Sequence, residues 1–177
     1  MKRNRYLVVL VLAAAIVATI ALLPSKEAEQ EDGRKWFKGN THTHSLWSDG
    51  NDFPEMIVGW YRDQGYDFLA LSDHNVLSRG ERWMSVAQVE KRRKDKGTGT
   101  MAKYLEEFGE DWVERRGEAG KEEVRLKTLA EIRPKFEAPG EFLLIEAEEI
   151  TDRYRNHQIH INAINLDEVI APQHGDS

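Results

Sequence analysis

The sequence predicts an α/β fold built on a parallel sheet. The first observation is element order. Strand-like Trp36-Phe37 is followed by a helical segment at 54–65 and then by the apolar run 67–72, so strand, helix and strand alternate. The second is that each apolar run ends in polar, chemistry-bearing residues. His42, His44 and Asp49 follow the first run, Asp73-His74-Asn75 the second, and Glu146, Glu148 and Glu149 the third. Ligands in such folds collect at the C-terminal ends of the strands. The third is length, since 177 residues suffice for one domain with a sizeable core.

The N-terminus has Lys2, Arg3 and Arg5 before an uncharged run, apolar from 7 to 23 apart from Thr19. A basic start with an apolar core is the pattern of a signal anchor or a signal peptide, here 1–25. Thr19-Ile20-Ala21, the best small-x-small cleavage site, lies inside the apolar run, which favours an uncleaved anchor. The expected location is therefore a membrane-anchored domain outside the cytoplasm, or a secreted or periplasmic one if cleaved. Residues 26–35 are charged and read as a linker. The body is expected over 36–177.

In the helix at 54–65, Pro54 suits the first turn and Gly65 the end, while Met56, Ile57, Trp60 and Tyr61 recur at helical spacing. A long, highly charged stretch, about 79–138, reads as a helical insertion. Met101, Tyr104, Leu105, Phe108, Trp112 and Val113 share a helical face, and Leu126, Leu129, Ala130 and Ile132 mark a further piece ending near Pro134. It either covers the barrel wall or caps the site. The basic run Lys91-Arg92-Arg93-Lys94 reads as a solvated helix face. The third strand is expected at 141–145 and the fourth at 156–165.

His42 and His44 are placed at the end of a β-strand, where residues two apart point to the same side and aim both rings at one spot. The turn Ser48-Asp49-Gly50 brings Asp49 toward it. Neutral imidazole with carboxylate suits a divalent ion such as zinc, manganese or iron. On the fourth strand His160 shares a face with polar Asn162, whereas His157 falls on the opposite face and reads as a surface residue. His174 belongs to the polar tail. The absence of cysteine rules out disulfides and thiolate sites. With 22 basic against 31 acidic side chains beyond residue 25, the body carries −9, which disfavours a nucleic-acid partner.

Taken together, His42-Thr43-His44 with Ser48-Asp49-Gly50, Ser72-Asp73-His74, Ala147-Glu148-Glu149-Ile150-Thr151 and His160-Ile161-Asn162 resemble the PHP (polymerase and histidinol phosphatase) family of metal-dependent phosphoesterases. The resemblance runs from about residue 38 to 166, leaving out the insertion. It implies a distorted (β/α)7 TIM-like barrel, of which about the first four strands are readable here. It also implies two or three divalent metal ions (Zn, Mn or Fe) held by His42, His44, Asp49, His74, Glu149 and His160, with Glu149 bridging. Asp73 would orient a ligand histidine or relay a proton in catalysis. Ala147 stands where the family usually has glycine.

No serine, threonine or cysteine nucleophile motif is present, so the expected reaction is hydrolysis of a small phosphorylated substrate by metal-activated water. Arg79 and Arg153 follow motif residues and are candidate substrate-binding groups. The competing readings are an amidohydrolase-type metal-dependent hydrolase and a non-catalytic, metal-stabilised binding domain. The family draws further ligands from the second half of its barrel. This sequence is accordingly expected to be the front part of a longer protein, holding metal weakly, associating through an open edge and turning over little by itself.

Overall fold

The computed structural model describes residues 34–92 and 99–173. The chain divides into two compact units, Met1–Trp36 and Phe37–Ser177. Of the first, only Arg34, Lys35 and Trp36 are described, exposed and without regular structure. The second is a mixed α/β unit around a curled, four-stranded half-barrel sheet, with four helices among its described residues.

In chain order the elements are β1 (Gly39–Asn40), α1 (Pro54–Asp63), β2 (Phe68–His74), β3 (Arg82–Ser85), α2 (Val86–Arg92), α3 (Thr100–Phe108), β4 (Arg115–Arg116), β5 (Glu123–Leu126), α4 (Leu129–Phe136), β6 (Leu143–Tyr154) and β7 (His157–Ile164). The main sheet runs β1-β2-β6-β7. β1, β2 and β6 are parallel, as α/β crossovers require, but β7 is antiparallel to β6. Four consecutive parallel strands were expected. The connection decides otherwise, because two residues, Arg155 and Asn156, can join only an antiparallel pair. Arg155 takes the left-handed conformation, φ 55°, that closes the hairpin. The same hairpin explains why β6 runs on through the acidic stretch expected to end it: β7 pairs with it from Ala147 to Tyr154.

α1 begins at Pro54, whose missing N–H costs nothing in a first turn, and the chain leaves it at Gly65 with φ +68°. α4 opens with a capping box. Thr128 Oγ1 accepts from the Glu131 backbone N–H, and the Glu131 carboxylate accepts from Thr128 N at 2.9 Å. The helix continues two residues past Pro134. α1 and α4 bury Val58, Leu129, Ile132 and Phe136 against Leu69, Leu71 and Leu144 on one face of β2 and β6. Alternation turns Phe68, Leu143 and Ile145 to the other face, where with Ile164 of β7 they line an open apolar basin.

The insertion is not wholly helical. β3, β5 and β4 form a small antiparallel sheet in that order. The signal was present in Glu123-Val124-Arg125-Leu126, where Val124 and Leu126 are fully buried and their neighbours are not. That is a period of two, masked by the charge density around it. α3 ends at Gly109, so Trp112 and Val113 lie beyond the helix, yet they join Met101 and Tyr104 in one core. That core also takes Leu46, Trp47 and Phe53, so the insertion packs under the loop carrying His44 and Asp49. Phe53 stacks on Tyr104 with ring centroids 3.7 Å apart.

The expected anchor at 7–23 lies outside the described residues, as does His174. Among the described residues no helix is long and apolar enough to cross a membrane. The expected location, anchored to a membrane or exported, is corrected on that finding: no described element carries it.

Candidate metal centre

The site begins on an extended stretch that follows β1 without being assigned to it. Thr43 N donates to Ser72 Oγ at 3.0 Å and Ser72 N to Thr43 O at 2.8 Å, laying residues 42–44 alongside β2. Thr43 is buried, so the rings on either side turn the other way. Their Nε2 atoms lie 2.9 Å apart. Asn40 steadies this stretch by accepting from His42 N at 3.0 Å and donating to Thr43 Oγ1 at 2.8 Å and the Tyr61 hydroxyl at 2.5 Å.

The turn that returns Asp49 is held from three directions. Asp73, almost fully buried, accepts from Ser45 N and Ser45 Oγ, both at 2.7 Å, and from Ser48 Oγ at 2.5 Å. Arg92 of α2 donates to the carbonyls of Ser48 and Gly50. Trp47 Nε1 donates to Lys127 O at 2.9 Å. Gly50 is needed for closeness: a Cβ there would lie 2.6 Å from the Ser45 backbone. The result is Asp49 Oδ1 at 2.7 Å from His44 Nδ1. That hydrogen bond holds the Asp49 carboxyl below its ordinary range, against a smaller opposing effect of burial.

The remaining donors come from sheet register. His74 stands opposite Glu149 across the parallel pair, and Thr151 opposite His160 across the hairpin. Glu149 Oε2 lies 3.4 Å from His42 Nε2, 2.9 Å from His44 Nε2 and 3.0 Å from His74 Nδ1, while its Oε1 lies 2.9 Å from His160 Nδ1. His74 Nε2 faces Asp49 Oδ1 at 3.5 Å. Three groups result, His42/His44/Glu149, His44/Asp49/His74 and His74/Glu149/His160, the ligand atoms of each within 4.8 Å of one another.

These groups fit a divalent cation better than they fit one another. His44 has Nδ1 against Asp49 and Nε2 against both a Glu149 carboxylate oxygen and the Nε2 of His42. Imidazole nitrogens and carboxylate oxygens gathered in this way could hold a positive centre between them. Donors about 2.0–2.2 Å from a tetrahedral ion lie roughly 3.4 Å apart, close to these spacings. Glu149 is largely buried, and its carboxylate oxygens lie against four imidazoles.

Other expected site residues fall elsewhere. Asp73 is bound to Ser45 and Ser48, so it shapes the turn, and it belongs to none of the three donor groups. Glu148 faces the opposite side of β6 from Glu149, opposite Asp73 in register. There Oε1 accepts from Ile170 N at 2.7 Å, Oε2 has no hydrogen-bond partner among the described residues, and burial raises the carboxyl. Arg79 binds Glu146 Oε1 at 3.0 Å and the carbonyls of Leu166 and Asp167, a clamp on the segment after β7 and not a free anion site. Arg153 is exposed, opposite Gln158, beside a cavity of about 400 Å³ that also takes in Asn75 and Thr151. His157 ends the hairpin opposite Tyr154 and belongs to none of the three groups.

Sequence reasoning missed three contributors. Asn75, with φ 51°, extends the ladder by its side chain, accepting from Thr151 N at 2.7 Å and donating to Thr151 O at 3.0 Å. Thr151 Oγ1 lies 2.5 Å from His74 Nδ1 and 3.3 Å from His160 Nδ1. Arg92 was assigned to a solvated face, yet it ties the insertion to the Asp49 turn. An asparagine straight after Asp73-His74 was the one sequence signal available; nothing local marked Arg92. Compared with protein-family models, curated proteins and solved structures, the chain matches none.

Proposed function

We propose that the protein is a metal-dependent hydrolase of phosphoesters, built on the PHP type of distorted (β/α)7 barrel that its motifs resemble. The observation that carries this reading is the convergence of four imidazoles, His42, His44, His74 and His160, from three separate segments on Glu149, with Asp49 hydrogen-bonded to His44. A neutral imidazole offers one lone pair, and His44 and His74 each face two groups through different nitrogens. Two ions would be held, one by His42, His44 and Glu149, the other by His74, Glu149 and His160. Asp49 then orients His44 by accepting its Nδ1–H.

When bound, such ions supply Lewis acidity and an activated water. The chain's own groups do the rest. Glu149 would be shared between the two ions through its two carboxylate oxygens. Asp73 with Arg92 keeps the turn from moving Asp49. Water adds to phosphorus, the ester P–O bond breaks and the alcohol leaves with a proton.

The test is calorimetric titration of a phosphonate into manganese-loaded and metal-free protein, with phosphate release from a phosphoester panel followed in parallel. Binding that requires metal is expected, with turnover below roughly 1 per second. Two bound ions per chain without any metal-dependent phosphonate binding would overturn the reading.

A further inference from the structure

β7 stands at one side of the main sheet, and its outer edge has no strand partner among the described residues. Across the β6–β7 hairpin Asn165 N donates to Glu146 O at 2.7 Å, so alternate residues counted back from that pair hydrogen-bond to β6. Ile159, Ile161 and Ala163 are satisfied in this way. Gln158, His160, Asn162 and Ile164 therefore direct their N–H and C=O groups to the open edge. Edge strands are commonly guarded by a charge, a proline or a bulge. β7 has no acidic or basic residue apart from its histidines and no proline, and its ladder with β6 runs unbroken from Tyr154 to Ala147. Ile161 and Ile164 are about half exposed, on opposite faces of the strand.

We infer that this edge joins two copies of the chain, β7 to β7 in antiparallel sense, about a two-fold axis at Ile161. The occupant is a second copy because the strand is its own complement. Two identical patches meet isologously about such an axis. Successive side chains point to opposite faces, so an axis perpendicular to the sheet must pass through a residue and not between two. With the axis at Ile161 every outward-facing residue finds a partner. Gln158 lies opposite the partner's Ile164 and His160 opposite the partner's Asn162, each reciprocated. Moving the axis to His160 or Asn162 leaves one outward-facing residue of each strand without a strand partner.

Charge agrees with this register. It sets Arg155, exposed in the hairpin turn, against the stretch beyond the partner's β7, where Asp167 and Glu168 are exposed. The same contact recurs at the other end of the pair. Elsewhere two acidic bodies repel one another, and an uncharged strand flanked by opposite charges is where they can meet. The metal centre is drawn in as well. His160 belongs to the donor group with His74 and Glu149. Opposite residues of an antiparallel pair lie about 5.5 Å apart and share a face. The partner's Asn162 therefore stands beside His160, and each centre receives a carboxamide from the other chain. This holds whatever reaction the metals serve.

The chain has no cysteine, so a single introduced one reports the register. Ile161→Cys places two thiols opposite one another at the axis, within the roughly 4.4–6.8 Å between Cα atoms that a disulfide spans. Ile159→Cys is on the same face, but four residues of strand, about 13 Å, separate it from its counterpart. The full chain is expected to sediment as a dimer. Mild oxidation should couple Ile161→Cys into a covalent dimer and leave Ile159→Cys uncoupled. Ile161→Lys sets like charges against each other at the axis and should sediment as a monomer with an unchanged circular dichroism spectrum. A monomeric parent chain overturns the inference. So does a dimer in which Ile161→Cys stays uncoupled, or in which both cysteine variants couple alike, because the copies then meet elsewhere or in another register. If Ile161→Lys loses its fold, the two cysteine variants decide the matter.

Discussion

His74 and Glu149 stand opposite one another on neighbouring parallel strands, with His74 Nδ1 3.0 Å from Glu149 Oε2. One position earlier the same register sets Asp73 against Glu148, both buried and both facing the other way. Two adjacent acid–histidine or acid–acid pairs in sequence are thus divided between two faces of the sheet, and only one of each reaches the metal centre.

Glu149→Gln removes the carboxylate charge that four imidazoles surround, whereas Glu148→Gln changes a carboxyl that burial already biases toward its neutral form. Metal analysis after gel filtration should show both ions lost from the first variant and both retained by the second. Equal loss would place the bridge wrongly.

His44→Ala takes away a ring that meets His42, Asp49 and Glu149. His157→Ala changes a residue at the hairpin end. Affinity for manganese or zinc should fall at least about tenfold in the first and stay within about twofold in the second. A similar fall in both would contradict the grouping.

Asp73→Asn puts an amide where three donors from Ser45 and Ser48 converge. Leaving those buried donors short of acceptors should cost about 2 kcal/mol or more in urea unfolding. Because the turn carries Asp49 and orients His44, metal affinity should drop too, by roughly tenfold. Arg92→Ala should produce the smaller version of the same pair of effects. Lost stability with metal affinity intact would separate Asp73 from the site.

Glu55 is buried, and burial raises its carboxyl pKa above the ordinary 4.5 despite hydrogen bonds from Tyr104 and Trp112. The folded chain keeps a proton that the unfolded chain releases above that value. Stability contributed by this group is therefore full below pH 4.5 and declines as pH rises toward the folded value. Glu55→Gln should melt within about 1 °C of the parent at pH 4 and roughly 2–4 °C higher at pH 7.5. A variant equally destabilised at both pH values would show a carboxylate that is already ionised when folded.

Much of the centre could be read without coordinates. Residues two apart on an extended chain share a side whether or not the segment is formally a strand, so His42 and His44 were readable from spacing alone. The turn residues Ser48-Asp49-Gly50 and the apolar run before His74 are equally local signals. Choosing between Glu148 and Glu149 was different. Alternation separates their directions, but which direction is the open one depends on where α1 and α4 lie, and the β2–β6 register decides that.

The sequence by itself determined the α/β class, helix α1, strand β2 and the pairing of histidines with acids at strand ends, because these rest on periodicity and turn chemistry within a few residues. Only the tertiary structure decided the antiparallel return of β7, the small sheet hidden in the charged insertion, and the capture of Arg79 and Arg92 by backbone carbonyls. Each of these depends on partners far apart in the chain: Arg79 with Asp167, Arg92 with Ser48, Trp47 with Lys127. Hydrogen-bond donors of that kind are satisfied by whatever folding brings near, and no local pattern announces the choice.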